Sequence, residues 1–121
     1  MFGCFIAGPA WRGGRLNDAD ILRWTRSRDR WWRRAALVAT VPLNVRAQGG
    51  AGDSARTLRV CARLVTDRDP MVVKALSWAL RALVAHDPGA VSRFIRHDAD
   101  ELAPLVRREV TSKLKTGRKS R

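Results

Sequence analysis

The chain has 121 residues, with 24 Lys and Arg against 11 Asp and Glu, and a formal net charge of +13 at pH 7. This length allows one domain with a modest core. No run of uncharged apolar residues approaches the ~18 that span a bilayer, so a transmembrane protein is excluded. The excess of positive charge favours a polyanionic partner, but arginines used only as solvated surface residues would give the same total.

The first 16 residues are rich in glycine and show no usable apolar period, so residues 1–16 are predicted to be a loose leader or the truncated edge of a larger fold. Cys4 and Cys61 have no CxxC spacing and are typical of reduced thiols in a cytosolic protein. His86 and His97 lack partners at metal-ligand spacing, so no metal site is predicted.

From Asn17 onward the apolar periodicity predicts six helices in three antiparallel pairs. Their expected starts are Asp18, Asp29, Asp53, Asp69, Asp87 and Ala103. The second helix is expected to reach about Val41, because Pro42 follows. Residues 17–117 are therefore predicted to form an all-α domain of HEAT-like helix pairs stacked in an α-α superhelix, followed by a basic tail at 118–121.

A short sequence motif repeats at an interval of about 40 residues, which is the period of HEAT-like helix pairs. An Asp that can cap a helix is followed five positions later by a cation, then by Ala and an apolar run, at Asp29–Arg34 and again at Asp69–Lys74. A weaker third copy begins at Ala103 and places Arg108 five positions later. Stacked repeats would align Arg34, Lys74 and Arg108 in one row.

The fourth helix is apolar almost all round and carries a narrow polar stripe of Lys74, Ser77 and Arg81 at i, i+3 and i+7. This pattern is typical of a helix in the middle of a stack. Trp31 and Trp32, on the second helix, are adjacent and cannot share a face. One is expected to pack and the other to be exposed.

Three segments resemble signatures of AlkD-type DNA alkylation repair proteins. The segment Lys74-Ala-Leu-Ser-Trp78-Ala-Leu-Arg81, followed by Asp87-Pro88 and Val91, is similar to the core signature of that family. Trp31-Trp-Arg-Arg34-Ala-Ala-Leu resembles the preceding signature, and Val106-Arg-Arg108-Glu109-Val the closing one. The order and intervals fit across residues 18–115.

The resemblance implies a HEAT-like superhelix whose concave face cradles double-stranded DNA, without a cofactor. Enzymatic members release cationic alkylated purines by hydrolysis of the N-glycosidic bond. The implied DNA-binding residues are Arg34, Arg33, Lys74, Trp78, Arg81 and Arg108. The cations would clamp phosphates, although Arg34, Lys74 and Arg108 would also suit bonds to a capping Asp of a neighbouring repeat. Trp78 suits the core or the groove wall better than base stacking.

No catalytic residue is assigned. The catalytic Asp of the family lies four residues after a Trp on an earlier helix, and here Arg15 stands four residues after Trp11. Asp18 and Asp20 fit the first turn of a helix. We therefore expect a DNA-binding C-terminal half of the fold, from a truncated gene or a degenerate paralogue, and leave catalysis open.

The predicted location and partners follow from the resemblance to this family. A cytoplasmic, nucleoid-associated protein is expected, with alkylated duplex DNA as ligand and with self-association through the apolar edge near its Gly-rich start. The main alternative is a helical-repeat scaffold that binds an acidic protein. A membrane-surface protein fits less well, because the cationic stripe of the fourth helix is narrow.

Overall fold

The computed structural model describes residues 17–45 and 52–116 of the chain. The helices in these ranges are α1 (Asp18–Trp24), α2 (Arg30–Val38), α3 (Val41–Asn44), α4 (Ser54–Arg63), α5 (Pro70–Val84), α6 (Pro88–His97) and α7 (Pro104–Thr116). No strand occurs among the described residues. The predicted all-α fold is confirmed. The expected leader and basic tail fall outside the described ranges.

The helices stack in two layers. α1 packs on α2, α4 on α5, and α6 on α7, so each pair consists of consecutive helices. The second helices form a continuous layer, in which α5 packs against α2 on one side and α7 on the other. This arrangement agrees with the predicted α-α superhelix and places α5 in the middle of the stack.

Aspartate caps define where four of these helices begin. The carboxylates of Asp29, Asp53, Asp69 and Asp87 each accept a backbone N–H from the first turn of α2, α4, α5 and α6, respectively. Each bond satisfies a donor that has no partner inside the helix. The predicted caps are confirmed. By setting the first residue of α2 and of α5, they determine which side chains lie on each face of these helices.

The predicted end of the second helix is wrong. α2 ends at Val38, and Pro42 lies in the first turn of the short helix α3. A proline is tolerated there because the amides of a first turn have no intrahelical acceptor.

Asn44, the last residue of α3, has a buried side chain that joins α3 to α4. Its Nδ2 donates to the Thr57 Oγ1 at 2.8 Å, and its Oδ1 accepts the backbone N–H of Asp53 at 2.8 Å. Because the amide is only 2% exposed, these bonds replace the lost contacts with water. The amide thus fastens the start of α4.

The core runs along α5, whose Leu76, Leu80 and Leu83 are fully buried. Val106 of α7 completes the same cluster. On α4, Cys61 is a buried free thiol, and burial raises its pKa well above the ordinary value, because the charged thiolate would be desolvated. None of the described helices is long and apolar enough to cross a membrane.

Candidate nucleic-acid interface

A cleft of about 310 Å³ lies between α2 and α5. Arg34 of α2 lines it together with Met71, Lys74, Ala75, Trp78 and Arg81 of α5. We call it the α2–α5 cleft. Four of the six predicted DNA-binding residues, Arg34, Lys74, Trp78 and Arg81, therefore meet at one place.

The rotation of α5 explains why three of them share a face. The Asp69 carboxylate accepts the Met71 N–H at 2.9 Å, and Pro70 occupies the first helical position. From that start, Lys74, Trp78 and Arg81 fall at i, i+4 and i+7, which is one side of a helix. The other sides are buried in the core, so this face is the one left for the cleft.

Trp78 belongs to both the cleft and the core. Its side chain is half-buried and packs against the core cluster, while it also lines the cleft. The indole is therefore a wall of the cleft, as expected for a groove-lining residue. It separates the Lys74 and Arg81 positions along the face of α5.

Arg81 is held in place by a short chain of hydrogen bonds. Its Nε donates to the Ser77 Oγ at 3.1 Å, and the Ser77 hydroxyl donates to the Glu109 Oε1 at 2.7 Å. Ser77 is fully buried, so its hydroxyl needs these partners. Glu109 of α7 thereby orients an arginine of α5. Sequence reasoning assigned no role to Ser77 or Glu109, although a serine on an otherwise apolar helix is the signal of a required polar partner.

Arg33 lies outside the cleft. Its Nε donates to the Asp67 Oδ2 at 2.8 Å, and its Nη1 donates to the backbone carbonyls of Ser27 and Arg28 at 3.0 and 3.1 Å. The side chain is 19% exposed. Arg33 was predicted with the DNA-binding set, but its position is that of a tie between the loop before α2 and the loop before α5.

Other cations make similar ties between repeats. Arg30 lies 3.5 Å from the Asp69 carboxylate, so the capping Asp of α5 is paired with the preceding repeat. The Arg68 Nη2 donates to the Glu101 carbonyl at 2.5 Å in the next loop. We call the contacts Arg33–Asp67, Arg30–Asp69 and Arg68–Glu101 the repeat junctions.

Arg108 lies in a different hollow from the α2–α5 cleft. This second hollow runs along α7 and is lined by Pro104, Arg107, Arg108, Thr111, Ser112, Lys115 and Thr116. Of the predicted row of three cations, Arg34 and Lys74 share the cleft, while Arg108 lies with Arg107 and Lys115 at the last repeat.

The adjacent tryptophans of α2 are both exposed, Trp31 by 55% and Trp32 by 43%. As expected, one of the two rings packs, namely Trp32 on Trp24, although it stays partly exposed. The ring of Trp32 lies 5.0 Å from that of Trp24, and the Arg30 guanidinium lies 5.5 Å from the Trp31 centroid. Both rings keep much of their surface open to water.

The charge of the α2–α5 cleft decides what it can hold. Three of the described residues that line the cleft are cations, and no described lining residue is Asp or Glu. Such a cleft attracts phosphate groups, and it repels a purine that carries an alkyl group and a positive charge. Trp11 and Arg15, on which the missing catalytic acid depends, are outside the described residues. Within those residues no group of three His, Cys, Asp or Glu side chains is placed to hold a metal ion.

Together, the stacked helix pairs and the cleft define a class: all-helical superhelical proteins with a cation-lined cleft on the layer of second helices. The sequence model of the family described as DNA alkylation repair enzyme matches residues 6–114. The chain belongs to this family, in agreement with the resemblance of its three signatures. No curated protein and no solved structure matches the chain significantly.

Proposed function

We propose that this protein binds duplex DNA along the α2–α5 cleft, as a DNA-binding member of the DNA alkylation repair family. Family membership supports a function related to DNA repair. The observation that carries the proposal is the meeting of Arg34, Lys74 and Arg81 around one cleft. A DNA backbone is the polyanion that such a cleft and a net charge of +13 would recognise.

The cleft suits the phosphate backbone better than a damaged base. A guanidinium presents paired N–H donors that match two phosphate oxygens, and a Lys ammonium adds a point charge. Release of a cationic purine needs a group that stabilises positive charge at the sugar, such as a carboxylate. The described cleft residues supply cations and an indole, so we assign them DNA binding and no part in bond cleavage.

A fluorescence anisotropy titration tests this proposal. The protein would be titrated into a labelled intact duplex and into one with an abasic-site mimic, at several NaCl concentrations. Affinity should fall log-linearly with salt, with a slope of roughly −0.9 per neutralised phosphate. Arg34→Ala should make that slope less negative by about 0.9, which corresponds to the loss of one phosphate contact.

The control is Arg63→Ala, which removes the same charge from an exposed position on α4. Equal slopes for Arg34→Ala and the parent protein would contradict the proposal. Tighter binding to the abasic duplex, lost in Arg34→Ala, would support a repair-derived site and justify an assay for base release.

The alternative partner is an acidic protein, and the exposed pair Trp31 and Trp32 favours it. Exposed tryptophans beside arginines are enriched in protein interfaces. In that case duplex binding would be weak and insensitive to Arg34→Ala. Substituting Trp31 by Ser would then abolish binding to the acidic partner while leaving any residual DNA affinity unchanged.

A further inference from the structure

A further hollow, distinct from the one along α7 that contains Arg108, adjoins the α2–α5 cleft at Arg81. Its volume is about 440 Å³, and it is lined by Arg81 and Ala82 of α5, by His86 just after α5, and by Lys113 of α7. Asn44 contributes the remaining polar wall. We call it the α5–α7 hollow. Arg81 lines both this hollow and the α2–α5 cleft, so the two are neighbours.

The Arg81 guanidinium can donate hydrogen bonds to a ligand in the α2–α5 cleft and to one in the α5–α7 hollow. Its Nε is committed to the Ser77 hydroxyl, which fixes the plane of the group. Its Nη1 and Nη2 make no hydrogen bond with any described residue, so up to four N–H donors remain for a ligand. A planar fork held at its inner nitrogen can contact one phosphate or bridge two.

The wall of the α5–α7 hollow is fixed by contacts with the backbone. The His86 Nε2 lies 2.5 Å from the Asn44 carbonyl oxygen, which can only accept, so this ring nitrogen carries the hydrogen. Gly52 lies against the other side of the ring, where an added Cβ would come within 3.0 Å of the His86 Cγ. Gly52 also has a φ of +97°, which other residues rarely adopt. The imidazole is therefore held in place on this wall of the hollow.

We propose that the α5–α7 hollow binds a second phosphate of the same DNA strand, with Lys113 as its cation and Arg81 shared between the two sites. The inference rests on the proposed function, and it adds a direction. The strand would pass from Arg34 on α2, over the end of α5, to Lys113 on α7. Lys113 stands outside the three signatures, so sequence resemblance alone does not single it out.

Salt titrations of duplex binding test the second site. Lys113→Gln should lower the salt slope by about 0.9 and weaken binding at 0.1 M salt roughly five- to tenfold. Its control, Arg63→Gln, removes one positive charge from the exposed outer surface of α4 and should leave the slope nearly unchanged.

A second pair of variants tests the hollow without removing a lysine. Ala82→Glu places a negative charge in the hollow and should weaken binding at least as much as Lys113→Gln. Ala62→Glu places the same charge on an exposed position of α4 and should weaken binding much less. Circular dichroism of all four variants would verify that they remain folded.

The outcomes separate the two proposals. If the parent protein binds DNA and Arg34→Ala lowers the slope, but Lys113→Gln and Ala82→Glu behave like their controls, then only the second site is overturned. If the parent protein shows no salt-dependent duplex binding, the proposed function falls and the second site falls with it. Slopes lowered by Arg34→Ala and Lys113→Gln alike would support both.

Discussion

Two neighbouring arginines of α2 have opposite tasks in this molecule. Arg33 turns toward the loops, where it donates to the Asp67 carboxylate and to two backbone carbonyls. Arg34 lines the α2–α5 cleft with Lys74 and Arg81. The two side chains differ by about 100° of helical rotation, which is one residue step. A cation's role in this repeat protein is therefore set by the direction in which it leaves the helix.

The same difference separates the repeat junctions from the cleft as regions. The junctions pair cations with carboxylates and carbonyls across successive repeats, as in Arg30–Asp69 and Arg68–Glu101. The cleft gathers cations without a described carboxylate among its lining residues. In the junctions, loss of one partner would leave the other charge uncompensated, whereas the like charges gathered in the cleft would favour an anionic ligand.

The largest expected effect comes from breaking a junction. Arg33→Ala leaves the Asp67 carboxylate, whose side chain is 13% exposed, without its guanidinium partner. We expect a loss of about 2–3 kcal/mol in the free energy of unfolding, because a hydrogen-bonded charge loses its partner. Urea denaturation followed by circular dichroism measures this loss. Arg34→Ala is the matched comparison, with a smaller expected loss, because it leaves the Arg33–Asp67 contact intact. Equal losses in both variants would remove the distinction between the two regions.

The next effect concerns the cleft. Arg81→Ala should weaken duplex binding roughly tenfold at 0.1 M salt, since at least one phosphate contact is lost. If Arg81 serves two phosphates, its salt slope should fall by more than that of Lys74→Ala. Anisotropy titrations of both variants measure the difference, and a smaller fall for Arg81→Ala would argue against its shared position.

A smaller effect is expected at Ser77, which links the fold to the cleft. Ser77→Ala removes the hydroxyl between Arg81 and Glu109. Stability should fall by about 1 kcal/mol, because a buried hydrogen-bonded group is lost. Duplex affinity should fall roughly two- to fourfold, because the guanidinium keeps its charge but not its fixed plane. This is less than the roughly five- to tenfold loss expected when one phosphate contact disappears. Unchanged affinity would show that the Ser77 bond is structural only.

The smallest effect is at Cys61, on a helix that belongs to neither region. Burial raises the pKa of this thiol, so the unfolded chain loses the proton at lower pH than the folded one. The stability difference is present below the unfolded pKa and is lost as pH rises above it. With an unfolded thiol pKa of 9.0, we expect about 0.4 kcal/mol to be lost between pH 7 and pH 9, and none of this loss in Cys61→Ala. The same increment should appear in the Arg33→Ala and Arg34→Ala backgrounds, and a different increment would mean that those changes reach the core.

Much of the fold could be predicted because its signals are local. An aspartate before an apolar run marks a helix start in any environment, and Asp29, Asp53 and Asp69 all cap helices as expected. The end of α2 was predicted wrongly from Pro42, because a proline that ends one helix and a proline that begins the next give the same local pattern.

The grouping of residues in the α2–α5 cleft could be predicted only where helical geometry decides it. The spacing of Lys74, Trp78 and Arg81 places them on one face of α5, and the repeat aligns Arg34 with them. Arg33 was placed in the DNA-binding set through the resemblance of its segment to a family signature. Its contact with Asp67, 34 residues away in sequence, could not be foreseen. The Ser77–Glu109 bond and the α5–α7 hollow likewise depend on which helices become neighbours. A single sequence gives no measure of such distances.

The most direct test of the account is one pair of salt titrations, on Arg33→Gln and Arg34→Gln with the same duplex. Both variants lose one positive charge, and they differ only in adjacent positions on α2. The account predicts that Arg34→Gln lowers the salt slope by about 0.9, while Arg33→Gln keeps the parental slope and is the less stable of the two. Equal slopes in the two variants would contradict it, because charge alone would then govern binding and the α2–α5 cleft would have no special part.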